Sequence, residues 1–109
     1  LSSIIRKYLM QKHPSEWLEL NELTHLLNIS EATIQRRLKS EGFSYQQLKN
    51  EIRRDTAIEL LSRGDKTLQQ ISDDLYFQDP SAFHRAFKKW TGVSPGSYRH
   101  ENITLDGQE

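Results

Sequence analysis

Apolar residues recur every three or four positions along most of this chain, which is the spacing of one face of an α-helix. The longest such run covers residues 44–63, and it begins at Ser44 with Gln47 three positions later. This pair forms a capping box, and Gly64 stands where a helix-ending glycine belongs. The pattern therefore predicts one uninterrupted helix of about twenty residues, roughly 30 Å long.

The long helix is expected to bury one side and to leave the other polar. The predicted buried residues are Leu48, Ile52, Ala57, Leu60 and Leu61. The residues predicted to face water or a partner are Lys49, Arg53, Arg54 and Glu59.

Three shorter helices are predicted before the long one. The first is capped by Ser2 or Ser3 and runs through about His13, and its inner face consists of Ile4, Ile5, Tyr8 and Leu9. The second covers residues 20–27, with helical spacing at Leu20, Leu23, Leu26 and Leu27. After a short turn, Ser30 caps a third helix that runs to about Glu41, with Ile34 and Leu38 pointing inward. Two short helices joined by a three-residue turn predict a helix-turn-helix.

The same order of features repeats after the long helix. Thr67 with Gln70 forms another capping box, and apolar residues with helical spacing follow as far as Leu75. The turn 76–78 leads to Asp79-Pro80, a cap followed by a first-position proline, which starts a helix over residues 80–91. A short closing turn at 94–99 is expected to dock Tyr98 against this second half.

These patterns predict an all-α chain with about seven helices. Residues 1–100 form the domain, with helix-turn-helix lobes at about 15–43 and 66–100 and a linker helix at 44–63. The tail, residues 101–109, has three acidic residues, no basic residue and no apolar period, so we expect it to be disordered.

Charge is distributed unevenly along the chain although its formal net value is zero. Residues 30–63 carry seven Lys and Arg against five Asp and Glu, and residues 79–100 carry four against one. Both positive blocks coincide with predicted helices. The neutral total therefore does not exclude a nucleic-acid partner.

The outward residues of two predicted helices suit recognition of DNA bases. Arginine pairs well with guanine, and Gln or Asn pairs well with adenine. The third helix offers Gln35 and Arg36 beside Ala32, and the helix at 80–91 offers Ser81, His84 and Arg85, with Lys88 and Lys89 placed for phosphates. Either face alone could be an ordinary solvated surface. The same pattern at the same place in two repeated units favours DNA binding.

Other kinds of site have little support in the sequence. The chain contains no Cys, and its four His residues lack metal-ligand spacing, so we expect neither a metal nor a cofactor. Asp73 and Asp74 are adjacent and therefore point apart on a helix, and no nucleophile–base pair accompanies them. We expect no catalytic residues. An enzyme is a distant third interpretation, behind DNA binding and behind a helical protein-interaction module that has lost DNA binding.

Several motifs also carry a family resemblance. These are Leu23–Gly42, Arg53-x-x-x-Ala57-x-x-Leu60-Leu61, and above all Ile71-Ser72-x-x-Leu75-x-Phe77-x-Asp79-x-Ser81-x-Phe83-x-Arg85-x-Phe87-Lys88-Lys89-x-x-Gly92-x-Ser94-Pro95-x-x-Tyr98-Arg99. Together they closely resemble the DNA-binding region of AraC/XylS-type transcription regulators. The resemblance implies seven helices in two helix-turn-helix lobes, each placing its second helix in a major groove.

The resemblance also implies which residues face DNA bases. They are Glu31, Ala32, Gln35 and Arg36 in the first lobe, and Ser81, Ala82, His84 and Arg85 in the second. Lys39 and Lys88 complete the candidate DNA-binding set. The expected function is sequence-specific binding of double-stranded promoter DNA, with the two reading helices in adjacent major grooves.

Three departures from the family pattern stand out. Tyr76 occupies a turn position that is usually Gly, Ser72 and Thr24 replace small Ala, and Arg54 replaces an apolar residue. If the turn needs positive φ at residue 76, Tyr is strained there.

The resemblance also gives expectations about context. They are an upstream effector domain absent from this chain, monomeric binding by the domain alone, RNA polymerase as a further partner in transcription activation, no membrane association, and a location on the nucleoid in the bacterial cytoplasm.

Overall fold

A computed structural model describes residues 1–100, and the regular secondary structure in that range is helical. The acidic tail, residues 101–109, lies outside the described residues. The elements are α1 (Ser2–Met10), a 3₁₀ turn (Pro14–Glu16), α2 (Leu20–Leu27), α3 (Glu31–Ser40), α4 (Tyr45–Arg63), α5 (Leu68–Asp74), α6 (Pro80–Thr91) and α7 (from residue 95 to residue 100, where the description ends). The predicted all-α class with about seven helices is confirmed.

Two compact units divide the chain, and the division falls inside α4 between Ile52 and Arg53. The first unit contains α1 to α3 and the N-terminal part of α4, and within it α2 packs against α3. The second contains the rest of α4 and α5 to α7, and within it α5 packs against α6. Each unit therefore holds one helix-turn-helix with its own core.

The core of the first unit draws on all four of its helices. Its buried residues are Ile5, Leu9, Leu23, Ile34, Leu38, Tyr45 and Leu48. Hydrogen bonds fix the segment between α1 and α2 to this core. Trp17 Nε1 donates to the Leu9 carbonyl at 2.9 Å, Leu18 N donates to the Tyr8 hydroxyl at 3.0 Å, and the Tyr45 hydroxyl donates to the Leu18 carbonyl at 2.6 Å. Burial raises the pKa of Tyr45, so this hydroxyl stays protonated and keeps its role as a donor.

The start and end of α1 differ from the prediction. Ser2 is the first helical residue rather than the cap, and its hydroxyl donates to the Glu41 carboxylate at 3.0 Å. The backbone N–H of Ser2 also lies 3.3 Å from both carboxylate oxygens. A side chain 39 positions away therefore does the work expected of a local cap. The helix ends at Met10 instead of His13, because the chain turns there toward the 3₁₀ segment before Trp17.

Two apolar residues counted in the helical patterns, Ile4 of the predicted inner face of α1 and Leu26 of α2, are exposed. Ile4 is 59% exposed and Leu26 is 56% exposed. On a helix, Leu20, Leu23 and Leu27 lie within an arc of about 60°, and Leu26 falls outside this arc, about 60° beyond Leu23. The short helix α2 covers only the arc of Leu20, Leu23 and Leu27. Helical spacing alone did not show that Leu26 lies beyond it.

The limits of α4 agree with the prediction. Gln47 N donates to Ser44 Oγ at 3.1 Å and Ser44 N donates to Gln47 Oε1 at 2.8 Å, so the capping box is present. Gly64 has the expected left-handed conformation, with φ of +74°.

Arg53, in contrast, was predicted to face water or a partner, but its side chain packs against another part of the chain. It is half-buried, and its guanidinium carbon lies 5.0 Å from the centre of the Phe77 ring. Burial lowers the pKa of this arginine. The sequence pattern missed the contact because Phe77 belongs to the turn between α5 and α6 and covers the polar side of α4 from a distance along the chain.

The second unit has an aromatic core. Its buried residues are Ala57, Leu60, Leu61, Ile71, Leu75, Phe83 and Phe87. The Phe87 ring centre lies 5.9 Å from that of Phe83 and 5.7 Å from that of Tyr98, both in edge-to-face geometry. The predicted docking of Tyr98 is confirmed. The closing segment is a helix rather than a turn, since Ser94 Oγ accepts from Ser97 N at 3.1 Å and starts α7.

Candidate nucleic-acid interface

The turn between α2 and α3 aims α3 through local hydrogen bonds. Asn28 ends α2 in a left-handed conformation, φ +54°, which asparagine tolerates better than most residues. Ser30 then caps α3, its Oγ accepting from Thr33 N at 3.2 Å. The start of α3 is therefore fixed by Asn28 and Ser30, two residue types that suit these backbone positions.

The five candidate residues of α3 share one exposed face. Because successive residues advance by about 100°, they fall within an arc of roughly 140°. The five are Glu31, Ala32, Gln35, Arg36 and Lys39, and all are exposed. Ile34 and Leu38, at most 1% exposed, hold the opposite side of the helix in the core.

The turn between α5 and α6 has a positive φ at residue 76, the conformation in which a tyrosine was expected to be strained. Tyr76 has φ of +62° and is 61% exposed. Phe77 N donates to the Ser72 carbonyl at 3.0 Å, which closes the end of α5. Asp79 Oδ1 then accepts from Ala82 N at 2.8 Å and Pro80 occupies the first helical position, so α6 begins as predicted.

The candidate residues of α6 also lie on one side, with one exception. Ser81, His84, Arg85 and Lys88 are exposed and fall within an arc of about 100°. Ala82 is half-buried, since its position is turned about 60° or more away from the others, toward Ala86. Phe83 and Phe87, at most 1% exposed, anchor the inner side.

A cleft lies beside each of these faces. The cleft in the second unit measures about 320 Å³, and Ser81, His84 and Arg85 line it together with Leu68 and Pro95. The cleft in the first unit measures about 480 Å³ and is lined by Gln35 and Lys39 of α3. The structure thus brings three predicted residues of α6 and two of α3 to the edges of surface recesses. It also adds Gln46 and Lys49 of α4 to the first recess, which helical periodicity did not connect with α3.

Both helices carry positively charged side chains that are available to a partner. On the faces defined above these are Arg36 and Lys39 of α3 and Arg85 and Lys88 of α6. The described part of α3 carries Arg36, Arg37 and Lys39 against Glu31, and α6 carries Arg85, Lys88 and Lys89 without an acid among its helical residues. None of these arginine and lysine side chains takes part in the ion pairs found within residues 1–100. DNA phosphates are natural counterions for such basic side chains.

The structure of residues 1–100 also bears on metal binding and on membrane insertion. No group of three or more His, Asp or Glu side chains there is arranged to hold a metal ion. None of the helices in that part of the chain combines the length and apolarity needed to cross a membrane.

Comparison with known proteins decides the family. A family model described as a helix-turn-helix domain matches residues 23–101. The C-terminal domain of AraT, a response regulator from Geobacillus stearothermophilus, is 31% identical and superposes with a TM-score of 0.81 over 92% of this chain and 84% of its own. The chain belongs to the AraC/XylS family. It is thus an AraC-type DNA-binding domain of the kind found in transcription regulators, as the motifs indicated.

One curated relative supports this placement, and a further solved structure shares the fold. The ornithine utilization regulator of Pseudomonas aeruginosa is 35% identical over 95 residues, which cover 87% of this chain and 28% of that protein. A DNA-binding transcriptional dual regulator from Escherichia coli K-12 shares the fold, with a TM-score of 0.86 at 20% identity over 94% of this chain and 92% of its own. The AraC-type chain spans a little over a quarter of the length of the curated relative. These relatives are regulators rather than enzymes.

Proposed function

We propose that α3 and α6 are the two reading helices of this AraC-type domain and that they enter adjacent major-groove segments of promoter DNA. The observation that carries the proposal is a repeated feature. The second helix of each helix-turn-helix has an exposed face with arginine and lysine side chains that form no ion pair within residues 1–100. A major groove admits an α-helix, and its base edges distinguish all four base pairs.

On α3, Arg36 and Gln35 are the direct readers in this proposal. Arginine can bind both acceptors of guanine, and glutamine can pair with adenine. Ala32 leaves room for a thymine methyl, and Glu31 can accept from cytosine. Lys39, one turn further along, contacts a phosphate and positions the helix.

On α6, Arg85 is the direct reader, assisted by His84, Ser81 and Ala82. Lys88 lies one turn beyond His84 and contacts a phosphate, which adds affinity without sequence information. Since the readers of α3 and α6 differ in identity, the two halves of the site differ in sequence. The domain, residues 1–100, therefore binds an asymmetric site as a monomer.

Selection from a random DNA pool tests this proposal directly. The chain is expected to enrich one asymmetric sequence whose two informative segments are separated by about one helical turn, and to release it as salt rises. If no sequence is enriched and binding does not depend on salt, the chain is a protein-interaction module instead.

The proposal extends to the cellular setting. The domain acts in the bacterial cytoplasm on the nucleoid, and RNA polymerase is its second partner in activation. The regulators among its relatives support this setting. Transcription with purified bacterial RNA polymerase, from a promoter carrying the selected site, is expected to rise on addition of the chain. Unchanged transcription with the site fully occupied would remove both the polymerase contact and the activator role.

A further inference from the structure

The cleft in the first unit connects the outward face of α3 with the first turns of α4. Gln35 and Lys39 line it from α3, and Gln46 and Lys49 line it from α4. Its remaining walls include Leu38 and Phe43, which extend the core to the surface. Gln35 and Lys39 belong to the candidate DNA-binding set, whereas Gln46 and Lys49 do not.

Lys49 is held in position by an aromatic ring. Its Nζ lies 4.8 Å from the centre of the Tyr45 ring, within the range of a cation–π interaction. Tyr45 is only 6% exposed and is itself hydrogen-bonded to the Leu18 carbonyl at 2.6 Å. The ammonium group is therefore ordered before a partner arrives, and less side-chain entropy is lost when it binds one.

The charge of the cleft favours an anionic occupant. Lys39 and Lys49 line it against one acid, Glu19, which lies at the N-cap of α2. Neither lysine belongs to an ion pair found within residues 1–100. A partner that brings phosphates close to α3 would therefore meet two ammonium groups without having to break a salt bridge.

We propose that this cleft receives the sugar-phosphate backbone bordering the major-groove segment read by α3, and that Lys49 binds one of its phosphates. The inference rests on the proposed reading role of α3, because a helix in the groove has phosphates along both of its flanks. Lys39 on α3 and Lys49 on α4 then hold the backbone from two elements. This fixes the depth and register of α3, since contacts to phosphates position a reading helix while contacts to bases specify the sequence.

The test replaces Lys49 by a side chain of similar length without charge. Lys49→Met keeps the aliphatic stem against Tyr45 and removes the ammonium. Binding is measured by fluorescence anisotropy on two duplexes, one with the selected site and one with a scrambled sequence of equal length, from 50 to 200 mM salt. The matched control is Lys7→Met on α1, an exposed lysine outside the cleft with the same change of charge.

Lys49→Met is expected to weaken both duplexes by the same factor and to lower the salt slope by about 0.9, the value for one released counterion. The loss of affinity should therefore shrink roughly threefold between 50 and 200 mM salt. Lys7→Met should leave the slope unchanged. An unchanged slope for Lys49→Met, whether or not its melting temperature falls, would show that Lys49 only packs on Tyr45 and would overturn the inference.

Arg36→Ala, measured on the same duplexes, separates this inference from the proposed function. Arg36→Ala could lose the preference for the selected site while Lys49→Met keeps the full salt dependence of binding. In that case only the proposed contact between Lys49 and a phosphate is wrong. If Arg36→Ala weakens both duplexes equally, α3 does not read bases, and the inference falls with the proposal on which it rests.

Discussion

Tyr76 combines three properties that seldom occur together in one residue. It is bulky, it has φ of +62°, and its side chain is 61% exposed. A left-handed conformation costs a residue with a Cβ roughly 1–2 kcal/mol, a cost that glycine avoids. Asn28 occupies the corresponding turn of the first unit with φ of +54°. Asparagine adopts this left-handed conformation more readily than most residues. Two turns of one shape thus differ in strain.

Replacing Tyr76 by glycine should stabilise the chain. Relief of strain exceeds the added freedom of the unfolded chain, and we expect a net gain of about 0.5–1 kcal/mol in the free energy of unfolding. Thermal and urea unfolding followed by circular dichroism measure the gain. Tyr76→Ala is the matched control, because it removes the ring and retains the Cβ. Equal stability of the glycine and alanine variants would mean that the positive φ carries no strain.

Arg85 and Lys88 should separate base reading from phosphate binding. Arg85→Ala is expected to relax base preference in one half of the site at a cost of about 1–3 kcal/mol, whereas Lys88→Ala should weaken all sequences alike. Both residues are exposed on α6, so neither change disturbs the core. Repeating the random-pool selection with each variant measures the difference. If Arg85→Ala lowers affinity for every sequence equally, its role as a reader is wrong.

At the scale of elements, the helices of this chain differ in where their starts are determined. The first turns of α4, α5 and α6 are capped by residues within three positions. The start of α1 depends instead on Glu41, from the residue that follows α3. The starts of α4, α5 and α6 can therefore form from local sequence, whereas the N-terminus of α1 is stabilised only after α1 and the residue that follows α3 have come together.

This long-range cap should make the docking of α1 sensitive to acid. The hydrogen bond from the Ser2 hydroxyl holds the pKa of Glu41 below its ordinary value. The folded pKa is the lower one, so the stabilisation is fully present above the ordinary glutamate pKa of about 4.3 and is lost as pH falls through the folded value. Glu41→Gln should therefore reduce the melting temperature at pH 7 and have a smaller effect at pH 3. Glu16→Gln, an exposed glutamate in the 3₁₀ turn, serves as the control, with little change expected at either pH. A Glu41→Gln effect that is equal at both pH values would contradict the charge-dependent cap.

At the scale of the whole molecule, two units with separate cores each present an exposed face that we propose reads DNA. The first presents Glu31, Gln35 and Arg36, and the second presents Ser81, His84 and Arg85. The two sets of side chains differ in identity, so the proposed function assigns a different half of the DNA site to each unit.

A footprint on the selected site should accordingly cover two adjacent groove segments without a palindrome. Hydroxyl-radical protection is expected over both segments at one chain per duplex, and mass measurement of the complex gives the stoichiometry. Arg36→Ala should thin the protection over one segment and Arg85→Ala over the other. Protection of one segment only, or an optimal site with dyad symmetry bound by two chains, would contradict the monomeric arrangement.

The sequence by itself predicted most of the helices and the family resemblance, although α1 ends earlier than expected and the segment expected as a closing turn is the helix α7. Helical spacing and caps such as Ser44 with Gln47 and Asp79 with Pro80 act between near neighbours, so their outcome depends little on the rest of the chain. For the same reason the outward positions of α3 and α6 were exposed as expected, with Ala82 half-buried.

Only the tertiary structure decided which side chains are covered and which recesses form. Glu41 reaches Ser2 across 39 positions, and Phe77 covers Arg53 on the side of α4 that periodicity marks as polar. Leu26 and Leu23 carry the same residue type, yet one is 56% exposed and the other fully buried. Lys49 joins the face of α3 only because α3 and α4 meet at one cleft. Burial and long-range contacts depend on which distant elements pack together, and a one-dimensional pattern does not contain that information.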